Sequence, residues 1–275
     1  MQRIYFILIV IIGLVLGCKS SSTLISFNIR YNNPKDKENS WDNRKLDILS
    51  FIENYNPDIL GIQEGSNYMV TWLNKSLANY QYIGIGNDGK TGGEYTAIFY
   101  DTTKYKVIEN TTFWLSQTPN KSSIGWDSSA KRICTYATFV SKRGKDTLHV
   151  FNTHFDHRGN ISKKKSAELI IKKIDELDLS QKKVVVMGDL NSRQTDESIS
   201  TMNNALDDGI EISKASLIGP KGTFNFFNRN YTPLVRIDYI FTKNLKVLNY
   251  KHLSDRRKNG LWLSDHLPIL IEIEH

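Results

Sequence analysis

Apolar residues in this chain gather in short runs, each closed by turn-forming or charged positions. Leu24–Arg30, Ile59–Glu64, Tyr95–Tyr100, Ile133–Val140, Leu148–His154, Val184–Asp189, Arg236–Phe241 and Ile269–Glu274 alternate, or are apolar throughout. Strands buried on one face or on both give these two patterns. Two other segments carry the helical period. Asp42 is placed to cap a helix over Asn43–Asn54, with Leu46, Leu49 and Ile52 in one stripe. Ser162 is placed to cap Lys163–Leu177, where Ala167, Ile170, Ile174 and Leu177 recur at helical spacing. Tyr68–Leu77 and Glu197–Leu206 are shorter candidates. Strands outnumber helices, and helices fall between only some of them. The pattern predicts an α/β fold of two packed sheets with helices outside.

A chain of 275 residues with 40% hydrophobic content is long enough for one such domain with a sizeable core. There is no repeat, low-complexity segment or linker to divide it. Arg3 followed by the apolar run Ile4–Leu16 has the length of a signal-peptide core, short of a comfortable membrane span. Val15-Leu16-Gly17-Cys18 resembles the lipobox of bacterial lipoproteins. Residues 1–17 are thus expected to be a lipoprotein signal peptide, 18–23 a short tether and 24–275 the folded domain. A lipid on Cys18 would hold the protein at the bacterial cell envelope. Cys134, the other of two cysteines, is then without a disulfide partner and reads as a small buried hydrophobe. The net charge of +7 is spread over short clusters such as Lys163-Lys164-Lys165 and Arg256-Arg257-Lys258. Scattered charge of this kind attracts anions without choosing among nucleic acid, polyphosphate and lipid headgroups. No obligate protein partner is implied.

The candidate chemistry sits where the apolar runs stop. Ile59-Leu60-Gly61-Ile62-Gln63 leads into Glu64, and a carboxylate so close to a core wants a cation. Val184-Val185-Val186-Met187-Gly188 leads into Asp189, with Asn191 two positions on and on the same face of an extended chain. The run from Phe151 ends in His154-Phe155-Asp156-His157, a grouping of metal-ligating side-chain types. Asp238 lies inside an apolar strand and needs a partner; His266 in Ser264-Asp265-His266 is a natural one, leaving Asp265 for a metal.

Asn28, Gln63-Glu64, Asn152-Thr153-His154, Gly188-Asp189-Leu190-Asn191, Arg236-Ile237-Asp238-Tyr239 and Ser264-Asp265-His266 occur in that order from about Ser26 to Pro268. This ordered set resembles the endonuclease/exonuclease/phosphatase superfamily of DNase I-like nucleases, abasic-site endonucleases, sphingomyelinases and inositol polyphosphate 5-phosphatases. Gly125-Trp126-Asp127, Arg132 and Asp156-His157-Arg158-Gly159 are similar to a bacterial branch near the carbon-catabolite-repressor-type deadenylases. The resemblance implies a four-layer α-β-β-α sandwich of two mixed sheets. It implies Glu64, Asp265 and Asn28 around a metal, and Asp189 with Asn191 positioning the attacking water. It implies an Asp238–His266 pair, a phosphate-contacting His154 oriented by Glu94, and a phosphate-binding Arg132.

The expected activity is phosphoester hydrolysis assisted by Mg²⁺ or Mn²⁺, the ions that oxygen donors favour. The substrate class stays open between nucleic acid, nucleotide, sugar phosphate and lipid headgroup, with a nuclease-like phosphodiesterase preferred. Two alternatives compete. One is a dinuclear zinc hydrolase of the metallo-β-lactamase type, echoed in His154-Phe155-Asp156-His157-Arg158-Gly159 but with one histidine of that motif missing. The other is a non-catalytic surface-binding lipoprotein on the same scaffold.

Overall fold

A computed structural model describes residues 21–144 and 146–274. The expected signal peptide and Cys18 lie outside the described residues. Along the chain run β1 (Ser21–Asn28), α1 (Trp41–Tyr55), β2 (Ile59–Gln63), β3 (Gly65–Ser66), α2 (Asn67–Ser76), β4 (Tyr80–Ile83), β5 (Glu94–Tyr95), β6 (Ile98–Asp101) and β7 (Tyr105–Trp114). There follow β8 (Ile133–Ser141), β9 (Thr147–His154), α3 (Asn160–Glu176), β10 (Val184–Asp189), α4 (Glu197–Asn203), β11 (Asp207–Asp208), β12 (Asp238–Lys243), β13 (Lys246–His252) and β14 (Ile269–Glu274).

Two six-stranded sheets carry the fold, ordered β13-β14-β1-β2-β6-β4 and β11-β12-β10-β9-β8-β7. Both are mixed: β1 is parallel to β2 and antiparallel to β14, while β10 is parallel to β9 and antiparallel to β12. Side-chain alternation sets the layers. Leu24, Ile59, Val150, Val185 and Met187 face the inter-sheet core, together with Ile240 and Ile271. Their neighbours Ile25, Phe27, Leu60 and Ile62 face outward, onto Ile48, Phe51, Ile52 and Leu73 of α1 and α2. Phe151, Val184 and Val186 meet Ala167, Ile170, Ile174 and Met202 of α3 and α4. Strands covered on both faces have to be apolar throughout, which is why the central ones were so plain in the sequence. The four-layer sandwich is as expected.

Three local expectations are corrected. The helix α1 starts at Trp41 with Ser40 at its N-cap, so Asp42 lies in the first turn instead of capping it. Its buried face is Trp41, Arg44, Ile48, Phe51 and Ile52, and Leu46 is 68% exposed. The larger rings of Trp41 and Phe51 bury more apolar area and set the rotation of the helix. The helix α3 starts at Asn160, and Ser162 lies inside its first turn, its hydroxyl donating to the Gly159 carbonyl. The cap is supplied from afar: the Asp127 carboxylate accepts from the N–H groups of Ile161 (3.2 Å) and Ser162 (2.6 Å). Finally, Tyr95–Tyr100 is not one strand but two, β5 and β6, broken at Thr96-Ala97, and β1 begins at Ser21 rather than Leu24.

Cys134 on β8 is free and buried, and burial pushes its thiol well above the ordinary range, as befits a core residue. Among the described residues no helix is long and apolar enough to cross a membrane.

Candidate active site

Parallel pairing of β1 with β2 and of β9 with β10 brings four C-terminal strand ends to one end of the sandwich. The two sheets are pinned together there. Gln63 Nε2 donates to Asn152 Oδ1 across the interface at 2.7 Å, and Asn152 Nδ2 donates to the carbonyls of Ile62 and Ala97, both at 2.9 Å. A buried polar network of this kind fixes register where an apolar contact would allow sliding. Gly188 permits the last close approach, since a Cβ there would lie 1.9 Å from the Thr153 carbonyl oxygen. Beyond the strands the chain turns sharply. Arg30, Glu64 and Asn191 have φ of 57°, 63° and 46°. Left-handed backbone at non-glycine residues costs about 1–3 kcal/mol each, and it concentrates at functional sites.

Asn28, Glu64, His154, Asp189, Asp238, Asp265 and His266 meet at this end. Asn28 Nδ2 donates to Glu64 Oε1 and to Asp189 Oδ2, each at 3.0 Å. Its Oδ1 accepts from Arg30 N, which fixes the amide orientation and turns the donor side to the carboxylates. Asn28 therefore orients the acids through its amide donors, while its oxygen, with one of its two lone pairs taken by Arg30 N, stays next to the expected metal position. Glu64 Oε2 accepts from Tyr31 N at 2.9 Å. Asp189 Oδ1 accepts from Asn191 N at 2.9 Å. His266 Nδ1 donates to Asp238 at 2.9 Å, leaving Nε2 at 3.7 Å from Asp189 Oδ2. Asp265 is buried, 3.5 Å from the Arg30 guanidinium.

Electrostatics separate these groups. Burial, with a push from Asp238, lifts Asp189 to about 7 despite the help of His266, Asn191 and Asn28. Burial works against a charge on His266, but Asp238 and Asp189 outweigh it and raise its pKa well above the usual imidazole value. Burial also raises Asp265, and Glu64 adds to the effect. One carboxylate is thus a base poised near neutrality beside a charged imidazole.

His154 is a hub. Arg132 Nη1 lies 3.0 Å from its Nδ1 and Asn191 Nδ2 lies 3.1 Å from its Nε2. Burial and the Arg132 charge hold its pKa well below the ordinary value. Glu94 does not orient His154 directly, as was expected. It faces Arg132 at 3.9 Å, and the guanidinium stands between the two. Arg132 is itself buried in the cleft wall.

The donor set fits a hard divalent cation. Oxygens of Glu64 and Asp189 and a nitrogen of His154 all lie within 4.8 Å of one another. Burial raises Asp189 and Asp265, repulsion from Asp238 and Glu64 adds to it, and a nearby cation would offset both. Glu64 and Asp265, which both line the cleft, are the carboxylates that would hold it, leaving Asp189 beside them for the water. The cleft above them has a volume of about 730 Å³. Phe224 and His266 pack in it with ring centroids 4.8 Å apart, and Phe226, 63% exposed, meets Phe224 at 4.2 Å with the rings tilted by 56°.

Residues 25–266 match the model of the Endonuclease/Exonuclease/phosphatase family. The chain belongs to this family. Its fold and family are those of phosphoester hydrolases. An endonuclease/exonuclease/phosphatase of Bacteroides vulgatus superposes with a TM-score of 0.87 at 35% identity, covering 93% of this chain and 99% of its own. A mannosyl-6-phosphatase of Bacteroides thetaiotaomicron gives 0.87 at 33% identity, covering 92% and 99%. An uncharacterized protein, L388, of Acanthamoeba polyphaga mimivirus is 30% identical, with 85% of this chain and 92% of the relative covered. Membership sets aside the metallo-β-lactamase alternative. So does the geometry, since His154 and His157 both turn a ring nitrogen to Arg132, a pure donor.

Sequence reasoning missed Arg30, Tyr31 and Arg44. Arg44 is fully buried and donates to the carbonyls of Ile29, Arg30, Asn39 and Leu263, tying the loop after β1 to the segment that leads into Asp265. Its signal was present: an arginine at the i+3 position of an apolar stripe that starts at Trp41.

Proposed function

We propose that this protein is a divalent-metal-dependent phosphomonoesterase acting on a phosphorylated sugar, with Mg²⁺ its natural ion. The reading rests above all on the convergence of Glu64, Asp189 and the Asp238–His266 pair at one strand end. Its sugar component draws on the likeness to the mannosyl-6-phosphatase.

Asp189 orients a water and takes its proton as the water oxygen bonds to phosphorus. The backbone N–H of Asn191 and the amide of Asn28 hold that carboxylate in place. His266, kept charged by Asp238, stabilises the negative charge that gathers on the phosphoryl oxygens. Asn191 is steered by its bonds to His154 and to the Phe155 carbonyl. A bound divalent cation supplies further positive charge to the phosphoryl group and the departing oxygen. The bond from phosphorus to the leaving oxygen breaks as that oxygen takes a proton from water in the open cleft, Asp189 returns its proton to solvent, and the products are inorganic phosphate and a sugar hydroxyl.

A phosphodiester is the second reading, favoured by the exposed ring of Phe226, which offers a stacking surface beside His266. One panel decides. Hexose phosphates, p-nitrophenyl phosphate, bis-p-nitrophenyl phosphate and single-stranded DNA are incubated after EDTA treatment, with Mg²⁺ or Mn²⁺ restored, beside Glu64→Ala. Fast metal-dependent phosphate release from hexose phosphates supports the monoester reading. Preferential cleavage of the diesters replaces it, and turnover of none of them favours the binding-protein alternative. We also propose that a lipid on Cys18 anchors the protein at the cell envelope. Labelling with radioactive palmitate, lost in Cys18→Ala, tests this.

A further inference from the structure

One wall of the cleft lies beside the reacting groups and joins them only through the contact of Arg132 with His154. It is built from the glycine-rich turn before β5 and from the segments around Arg132 and His157, and it is held rigidly. Asn87 Nδ2 donates to the Lys131 carbonyl at 3.0 Å, and Asn87 Oδ1 accepts from Glu94 N at 3.1 Å. The Trp114 indole donates to the Asn87 carbonyl at 2.7 Å. Gly93, at φ 77°, leaves room for this, since a Cβ there would fall 1.9 Å from Asn87 Oδ1. A preordered wall binds without an ordering cost.

Its charges cancel. Asp88 pairs with Lys131 at 2.8 Å, and Glu94 faces Arg132 at 3.9 Å. A surface that tracks a nucleic-acid backbone carries excess positive charge. A balanced wall of donors and acceptors suits hydroxyl groups instead.

Arg132 is the notable member. Its side chain is more than nine-tenths buried and lines the cleft; its Nε is closed off beside Asp156, so the Nη groups are its donors toward the cleft. The nearby carboxylates of Asp156 and Glu94 stand off at 3.7 and 3.9 Å. Arg132 Nη2 lies 3.2 Å from His157 Nδ1. An arginine only donates, so Nδ1 accepts and the proton of the neutral ring sits on Nε2. His157 is exposed at the cleft mouth, outside the shell of His154, Asp189 and His266 that brackets the phosphate. It meets whatever projects from that phosphate.

We propose that Glu94, Arg132 and His157 form a leaving-group subsite that reads adjacent hydroxyls of a sugar. Glu94 accepts, Arg132 and His157 Nε2 donate, and His157 is the specificity-determining residue at the mouth. This rests on the sugar phosphomonoester reading above. The test compares kcat/KM for a hexose 6-phosphate with that for p-nitrophenyl phosphate, whose leaving group has no adjacent hydroxyls. His157→Ala lowers the ratio of the two about tenfold, chiefly through KM for the sugar ester. His157→Gln, which can place an amide N–H near the Nε2 position, restores most of the ratio. Glu94→Gln lowers it about fivefold. Thermal melts of each variant confirm the fold. An unchanged ratio in both His157→Ala and Glu94→Gln overturns the subsite while the parent reading stands. A wild-type protein that hydrolyses neither ester overturns both.

Discussion

His252 and His266 are both buried, and each bonds an oxygen through Nδ1, yet their pKa values are driven in opposite directions. His252 donates to the Pro220 carbonyl at 2.7 Å, beside Arg236, and burial takes its pKa down to about 4. His266 faces the carboxylates of Asp238 and Asp189, which raise it well above the usual value in spite of burial. The partner decides the charge. The same contrast separates two buried aspartates. Asp208 is closed off by a two-pronged pair with Arg236, at 3.0 Å and 2.5 Å. Two residues along the chain from Arg236, Asp238 holds a histidine whose other nitrogen looks toward Asp189 and the cleft. The closed ion pair maintains the fold. The open one has a proton and a charge to use.

The contrast is broken first at its closed side. Asp208→Ala leaves Arg236 charged and buried, and is expected to cost about 3–5 kcal/mol of stability by urea unfolding. At the open side His266→Ala is expected to fold and to lose about 10²- to 10³-fold in kcat. A stability loss with normal turnover in the folded fraction would assign His266 to the closed class.

Acid separates the two histidines next. His252 binds a proton at higher pH in the unfolded chain than in the fold. Its contribution is therefore complete above pH 6.5 and is lost as the pH falls from about 6.5 toward 4, on the order of 3 kcal/mol in all. Urea unfolding across that range should show the decline, and His252→Leu should flatten it. Asp238→Asn is a smaller change. It should lower kcat about tenfold and shift the alkaline limb of the kcat profile to lower pH, because the imidazolium loses the carboxylate that sustains it.

How much of this was legible follows from burial. The central strands β1, β2, β9, β10 and β12 were plain in the sequence because both their faces are covered. The missed strands β4, β7, β11 and β13 are the edges of the two large sheets, and the missed β3 belongs to a two-stranded ribbon. In β7, Lys106 and Glu109 to Thr111 are exposed, so no alternation survives to be read. The acids and histidines of the site were legible because each interrupts an apolar run where a charge is costly. Arg132 and Glu94 were legible only through the family resemblance. The facing of Glu94 to Arg132, and the role of Arg44, depend on tertiary geometry that no local pattern encodes. Leu46 shows the opposite failure: an apolar residue at helical spacing that faces water. Leu46→Lys should change stability by no more than about 0.5 kcal/mol, the smallest of these effects.

The most direct measurement is phosphate release from a hexose 6-phosphate by EDTA-stripped protein, before and after Mg²⁺ is restored, for the wild type and Asp189→Asn. Stripped wild type should be silent and recover with Mg²⁺, while Asp189→Asn with Mg²⁺ should stay at least about 100-fold slower. Full turnover by the stripped protein, or wild-type rates from Asp189→Asn, would contradict a hydrolase built on this carboxylate and its ion.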